Sequence, residues 1–331
     1  MKMAQKLKSI YKMKYKSFLA FLIIIPLVSC SSNTYPIVRD NLNYFATTNS
    51  ITLYEGDNEN LTAVENIFKT YDKLTDNYLK RDAQNIYKIN ATNDEVKVDE
   101  ELYDLLKLSI ELSKELPLFN PLCGSLVKKW KESLKDLQIL DETTIAKELG
   151  KINSSSILFK ENNIVQRVGD AEIDLGAIAK GYALDDVKVY FISNSFSKYL
   201  INAGYSSILL GEKPGEEGYF NVGLSSLENG SYLKLKKCFF STSGVSEQGK
   251  VINDVTYSHI VNPFTGSAIN NYDSVMVVTS QGYLGDVLST VMMMSSVDEI
   301  KGLEKKYDAK VIAIKDKKIV YKNESLEVLK H

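Results

Sequence analysis

Apolar residues recur at three- and four-residue steps through Val64, Ile67, Phe68, Tyr71, Leu74 and Tyr78, the spacing of one face of an amphipathic helix. A second stripe, Leu102, Leu105, Leu106, Leu112 and Leu116, stops at Pro117, which cannot continue a helix. Residues 118–127 then read as a loop opening into a short helix that ends near Trp130. Residues 156–159 and 164–168 read as strands about Glu161-Asn162-Asn163. Glu172 and Ile173 lead as a strand into a turn over 174–181, and Tyr182 opens a helix with Ala179, Ala183, Val187 and Phe191 on one face. Residues 200–210 are strand-like with a turn at Asn202-Ala203-Gly204, 233–239 alternate, and 275–279 form a further strand. Residues 285–294 and 298–307 have helical character, and a hairpin about Lys315-Asp316-Lys317 closes the chain. Helices and strands intermix without a strict βαβ rhythm, which predicts an α+β (mixed α/β) fold with central mixed sheets flanked by helices. No repeat or composition break divides the body, so residues 41–331 read as one domain.

The N-terminus departs from this pattern. Lys2, Lys6, Lys8, Lys12, Lys14 and Lys16 precede an apolar run over residues 18–28. About 11 residues suit the core of a signal peptide and are too short to span a bilayer core of ~30 Å. The run ends in Leu27-Val28-Ser29-Cys30, which resembles a bacterial lipobox. That resemblance implies cleavage before Cys30 and lipidation of its sulfur. Residues 1–29 are then a lipoprotein signal peptide and residues 30–40 a tether, with the body lipid-anchored on the extracytoplasmic face of the cell membrane. An ordinary cleaved signal with a chance cysteine is the alternative.

Composition narrows the chemistry. The 331 residues are 44% hydrophobic and 25% charged, as in a globular body, and a net charge of −2 without a dense basic stripe argues against a nucleic-acid partner. Two histidines, His259 and His331, exclude a multi-histidine zinc site and an HExxH protease. Cys123 and Cys238 are expected to remain unpaired.

Residues 174–181, Asp-Leu-Gly-Ala-Ile-Ala-Lys-Gly, place an acid, two glycines and a lysine at a turn into a helix. Amides at a helix start suit a phosphate, and Gly176-x4-Gly181 has the spacing of a Walker A loop. Tyr182 and Ala183 stand where that loop needs Lys and Ser/Thr, which excludes a P-loop NTPase. Asp286 and Thr290, four apart on a helix, put two hard oxygen ligands on one face. They suit Mg²⁺ held together with a phosphate, while an ordinary helix-start carboxylate is the alternative. Met292, Met293 and Met294 read as core filler. The hydroxyls of Ser241-Thr242-Ser243 could bond a phosphate or close a turn, and His259, before an Asn-Pro turn, is structural or catalytic.

Taken in order, residues 118–130, 174–185, 202–204, 242–244, 258–266 and 285–290 resemble the FAD:protein FMN transferases, the ApbE family of flavin transferases. The resemblance covers roughly residues 41 to 322. It implies that family's fold, with Mg²⁺ as cofactor, FAD as substrate, and FMN passed to a Ser or Thr hydroxyl of an acceptor protein with release of AMP. Carried over residue by residue, it implies Mg²⁺ ligation by the Ala177 carbonyl, Asp286 and Thr290. It implies FAD contacts from Tyr78, Leu118, Phe119, Asn120, Asp174, Lys180 and Val261. His259, or a nearby carboxylate, is the candidate general base. Asn120 stands where the family usually has Asp, Phe264 where it has Arg or Lys, Tyr205 where a second glycine is common, and Ala46-Thr47-Thr48 in the place of Met-Gly-Thr. An FAD pyrophosphatase and a non-catalytic FAD-binding lipoprotein are the competing readings.

Overall fold

The computed structural model describes residues 35–227, 230–245 and 249–330. Cys30 and the signal-like segment lie outside the described residues. The folded unit begins at Tyr35 and its first strand at Ile37, so residues 37–40 of the expected tether are part of the sheet. Among the described residues no helix is long and apolar enough to cross a membrane.

The architecture is α+β, as expected. Its centre is an eight-stranded sheet in the order Ile37–Tyr44, Thr47–Leu53, Tyr199–Ala203, Ser207–Leu210, Cys238–Gly244, Ser274–Thr279, Lys310–Lys315 and Lys318–Lys322. Every pairing in it is antiparallel, where mixed sheets were expected, so no βαβ crossover is needed and none is present among the described strands. Strand alternation separates two faces. Phe240, Met276, Leu210 and Ile312 point toward a three-stranded sheet of Phe220–Gly223, Tyr232–Leu235 and Val328–Leu329, forming one apolar layer. Phe239, Ser241, Val275 and Val277 point the other way, where the helices Asn58–Thr75, Ala179–Ser193 and Gly282–Met292 lie.

The first of those helices buries Leu61, Val64, Phe68, Tyr71 and Leu74 and starts on a capping box in which Asp57 and Asn60 exchange bonds. It ends at Thr75, because Asp76 turns out of the helix and accepts the Tyr78 and Leu79 amides. Tyr78 therefore leaves the expected helical stripe and sits in a turn, half-exposed. The Glu100–Glu115 helix agrees with expectation. The Gly124–Lys135 helix runs five residues past Trp130. Residues 233–239 divide between two strands in two sheets, broken where Lys237 takes a positive φ. Ile173 joins no sheet, its amide and carbonyl both being bonded by the Asn90 carboxamide. The Glu142–Ser154 helix was not legible, its one fully buried apolar side chain being Ile152. Met292 and Met293 are fully buried core, and Cys123 and Cys238 are free.

Candidate active site

The Ala179–Ser193 and Gly282–Met292 helices meet backbone to backbone. A Cβ on Gly181 would lie 2.2 Å from the Gly282 carbonyl oxygen, and one on Gly282 would lie 2.3 Å from that of Gly181. No side chain larger than hydrogen fits this crossing. The first amides of a helix lack intrahelical partners. Gly181 donates its own to Asp286 Oδ2 at 2.7 Å. Gly282 and Tyr283 donate theirs to the two carboxylate oxygens of Asp185, at 2.9 and 2.8 Å.

Beneath the crossing the sheet supplies hydroxyls. Ser207 and Ser241 are cross-strand partners, so both point to the helix side, and both donate to Asp286 Oδ1, at 2.7 and 2.8 Å. Ser243, two residues along the same face, lies 2.9 Å from the Ser289 hydroxyl and 3.2 Å from that of Thr290. Thr290 donates to the Asp286 carbonyl at 3.1 Å. Ser241 and Ser243 therefore stand in a strand rather than a turn, as a floor beneath Asp286 and the Ser289–Thr290 pair. Burial pushes the Asp286 carboxyl up, opposed by the Lys180 charge and by the Ser207, Ser241 and Gly181 bonds.

The turn over residues 174–181 differs from its expected use. Gly176 donates to Asp174 Oδ1, Ile178 and Ala179 to the Leu175 carbonyl, Gly181 to Asp286, and Tyr182 to the Ile178 carbonyl. These amides are spent within the protein, so the turn does not offer an open row of N–H groups to a phosphate. An anion at this place would be met instead by the Lys180 side chain, whose charge reaches both Asp286 and His259.

A second group of residues adjoins the turn. Asp174 donates its amide to the Pro121 carbonyl, and Gly124 donates to that of Glu172, both at 2.8 Å. The segment holding Leu118, Phe119 and Asn120 is thereby placed beside Asp174. Phe119 is buried, Leu118 is partly exposed, and Asn120 uses its carboxamide oxygen to cap Leu122. Lys128 bonds Glu172 at 2.7 Å and stands 4.9 Å from the centre of the Tyr78 ring, with Lys131 at 5.8 Å from the same ring. Burial, followed by the charge of Asp174 and neighbouring carboxylates, pushes the Tyr78 hydroxyl up to about 12. Trp130 donates to the Gly266 carbonyl at 2.7 Å and stacks on Tyr257, tying this helix to the segment of His259 and Val261. Val261 is buried and bridges to Ala268. Burial, then the charges of Lys131 and Lys180, bring His259 down to about 4, while Asp174 opposes them. Its Nδ1 is buried with no hydrogen-bond partner.

The structure thus gathers Asp286, Thr290 and Lys180 at the helix crossing, with Asp174, Tyr78, His259 and the 118–120 and 261 segments alongside. Ala177 lies in the turn four residues before Gly181, partly buried. Phe264 is exposed, and Tyr205 is exposed at φ 59°, a conformation that suits glycine better. Ser207, Asp185 and Lys131 escaped the sequence reading. The repeated spacing Gly181-x3-Asp185 and Gly282-x3-Asp286 was the available signal for Asp185. Ser207 is revealed only by strand register. The side-chain groups about Asp286, from Ser207, Ser241, Ser243, Ser289 and Thr290, all end in oxygen, which suits a hard cation. A carboxylate has about four acceptor sites, and three are used, leaving one on Oδ2. Among the described residues no three His, Cys, Asp or Glu side chains gather as a metal site. A cation here would draw its remaining ligands from neutral oxygens, water and a bound phosphate.

The ApbE family model matches residues 45–314. This chain belongs to the ApbE family. Among its ApbE-family relatives, an FAD:protein FMN transferase of Klebsiella pneumoniae is 27% identical over 260 residues, covering 75% of this chain and 79% of that protein. One of Treponema pallidum is 25% identical over 216 residues, covering 59% and 60%. The fold is similar to the crystal structure of the ApbE protein of Thermotoga maritima, with a TM-score of 0.73 and 24% identity over 89% of this chain and 97% of that one. It is also similar to the flavin transferase ApbE of Vibrio cholerae, with a TM-score of 0.68 and 18% identity over 89% and 97%.

Proposed function

We propose that this chain is an FAD:protein FMN transferase that moves FMN from FAD to a Ser or Thr hydroxyl of an acceptor protein and releases AMP, with Mg²⁺ held at Asp286. The names of the relatives in Klebsiella pneumoniae and Treponema pallidum support the activity. The observation that carries the reading to this site is the bond from the Gly181 amide to Asp286. It joins the lysine-bearing turn to a carboxylate over a hundred residues away, so a cation and an anionic substrate meet at one place.

In the proposed reaction the acceptor oxygen attacks the phosphorus of the FMN half. A P–O bond forms to the acceptor, the P–O bond to the AMP phosphate breaks, and the hydroxyl proton leaves to a base. Asp286, Thr290 and the Ala177 carbonyl would hold Mg²⁺, which neutralises charge developing on the diphosphate when bound. Lys180 adds a fixed positive charge on the same side. Asp174, Tyr78, the 118–120 segment and Val261 line the FAD-binding side. His259, neutral at pH 7, has a nitrogen lone pair for the proton. Purified protein with FAD, Mg²⁺ and an acceptor protein is expected to give covalently flavinylated acceptor. Free FMN and AMP, formed equally fast without acceptor, would replace this reading with an FAD pyrophosphatase. FAD binding without turnover would replace it with a binding protein.

The depressed His259 predicts the acid limb. A group that must be neutral to accept a proton loses activity only as pH falls through its own pKa. The limb due to His259 is therefore expected near pH 4 rather than near the ordinary 6.5. A kcat/KM profile with a midpoint near 6.5 would show that His259 keeps its ordinary value in the working enzyme, and a limb near pH 4 that is unchanged in His259→Gln would remove His259 as the base.

We further propose an outer-face location through lipid on Cys30. Cys30→Ser is expected to move the protein from the membrane fraction to the soluble fraction with flavin transfer in detergent-free buffer unchanged. Retention of the variant in the membrane fraction would sink the anchor.

A further inference from the structure

We infer that Asp185 is a positioning residue for the cation site, acting through the first turn of the helix that carries Asp286 and Thr290. The inference rests on the proposed role of Asp286.

Neither helix at the crossing caps itself. Ile178 precedes one and Gln281 the other, and neither contributes a side-chain cap. Each helix instead receives a carboxylate from its partner, one turn beyond the glycine at the contact: Asp185 for Gly282 and Tyr283, Asp286 for Gly181. The exchange is reciprocal in position and unequal in chemistry. Asp185 is buried and spends one oxygen on each of two amides. Asp286 gives only one oxygen to a backbone amide and turns the other to the Ser207 and Ser241 hydroxyls of the sheet, on the side of the Lys180 turn. Asp185 therefore serves as the fixed side of the pair and Asp286 as the working side.

The consequence for position is direct. At the contact itself the two glycines present no side chains, so a polar bond is what can set the rotation of one helix on the other there. Asp185 does so from within the crossing, and Lys188, three residues on, adds a bond to the Ser280 carbonyl at 3.0 Å. Both hold the chain where the Gly282–Met292 helix begins. Asp286 follows one turn later, about 5.4 Å along the axis, and Thr290 one turn after that. A tilt of the first turn would carry both side chains away from the serines of the sheet. Binding groups need placement to about 0.5 Å, and partners behind a metal ligand commonly shift affinity 10–100-fold.

The test uses the purified protein and Mg²⁺ alone, with melting temperature followed against Mg²⁺ concentration, and then the Mg²⁺ dependence of FMN transfer. Asp185→Asn, equal in size, presents an amide NH₂ to one of the two backbone donors. Its half-saturating Mg²⁺ is expected to rise about tenfold or more in both measurements, with kcat largely restored at saturating Mg²⁺. A lower melting temperature with half-saturating Mg²⁺ within about twofold of wild type would overturn the inference and leave Asp185 a purely structural cap. Should Asp185→Asn not fold, Asp185→Glu keeps both acceptor oxygens, displaced by one methylene, and is expected to fold with a smaller rise. An unmoved Mg²⁺ midpoint in that variant, or its failure to fold, overturns the positioning role equally. If wild type shows no Mg²⁺-dependent shift while transferring FMN, the cation site at Asp286 falls, and the role of Asp185 with it.

Discussion

Asp286→Ala is expected to lower FMN transfer about a thousandfold or more while leaving a cooperatively folded protein. The carboxylate is the anionic group at the helix crossing that meets the sheet hydroxyls and lies within reach of the Lys180 charge, so its loss removes the proposed anchor for Mg²⁺. A metal ion contributes several kcal/mol of charge stabilisation, and each ~1.4 kcal/mol is a factor of ten in rate. Removing the side chain also strands the Gly181 amide and two serine hydroxyls, which opposes the gain from no longer burying a carboxylate. Asp286→Asn separates these effects. It keeps an oxygen toward Ser207 and Ser241 and loses the charge, so its activity should fall nearly as far. Either variant retaining more than a tenth of wild-type turnover at saturating Mg²⁺, after chelator treatment, would remove Asp286 from the cation site.

Trp130→Ala is expected to cost about 3–5 kcal/mol of folding stability, the range for truncating a large buried aromatic. The ring is 2% exposed, stacks on Tyr257 with centroids 6.3 Å apart, and donates to the Gly266 carbonyl. Its loss opens a cavity between the Gly124–Lys135 helix and the segment bearing His259 and Val261. Trp130→Phe keeps much of the burial and forfeits the hydrogen bond, for a smaller loss dominated by about 1 kcal/mol from that bond. Urea unfolding followed by far-UV dichroism measures both, since the chain has a single tryptophan and fluorescence would lose its reporter. Equal stability of Trp130→Ala and wild type would show that the two segments are held together by other contacts.

The larger elements were legible because their burial is one-sided. The stripe from Val64 to Leu74 and the Glu100–Glu115 helix each bury a face whose period is visible in the residues, and the closing hairpin is marked by the polar Lys315-Asp316-Lys317 turn between two apolar runs. The Glu142–Ser154 helix was not, because it rests against the 262–266 turn through partly buried Ile145 and Leu149 and encloses a charged residue, Glu148, paired with Lys151 and Ser125. At the site, the acid and hydroxyl of Asp286 and Thr290 could be read as one helix face. Which groups surround Asp286 could not, since Ser207 and Ser241 meet only through a strand register that no local pattern specifies. The turn over 174–181 misled for a related reason. Its residues are those of an amide cradle, and only the tertiary partners reveal that the amides are already committed.

The reciprocal bonds at the glycine crossing also bear on the order of folding. Between Gly181 and Gly282 the chain lays down four adjacent strands of the central sheet, from Tyr199–Ala203 to Ser274–Thr279. Bringing each aspartate to its amides closes a loop of about a hundred residues, and such long-range closure is slow compared with helix formation. The helices can therefore form early, while the site is completed only with the sheet. A chain cut anywhere between those glycines would retain pieces of both segments and no joined centre. Metal binding thus becomes a reporter of finished folding, expected to appear together with, and not before, the last strand pairing.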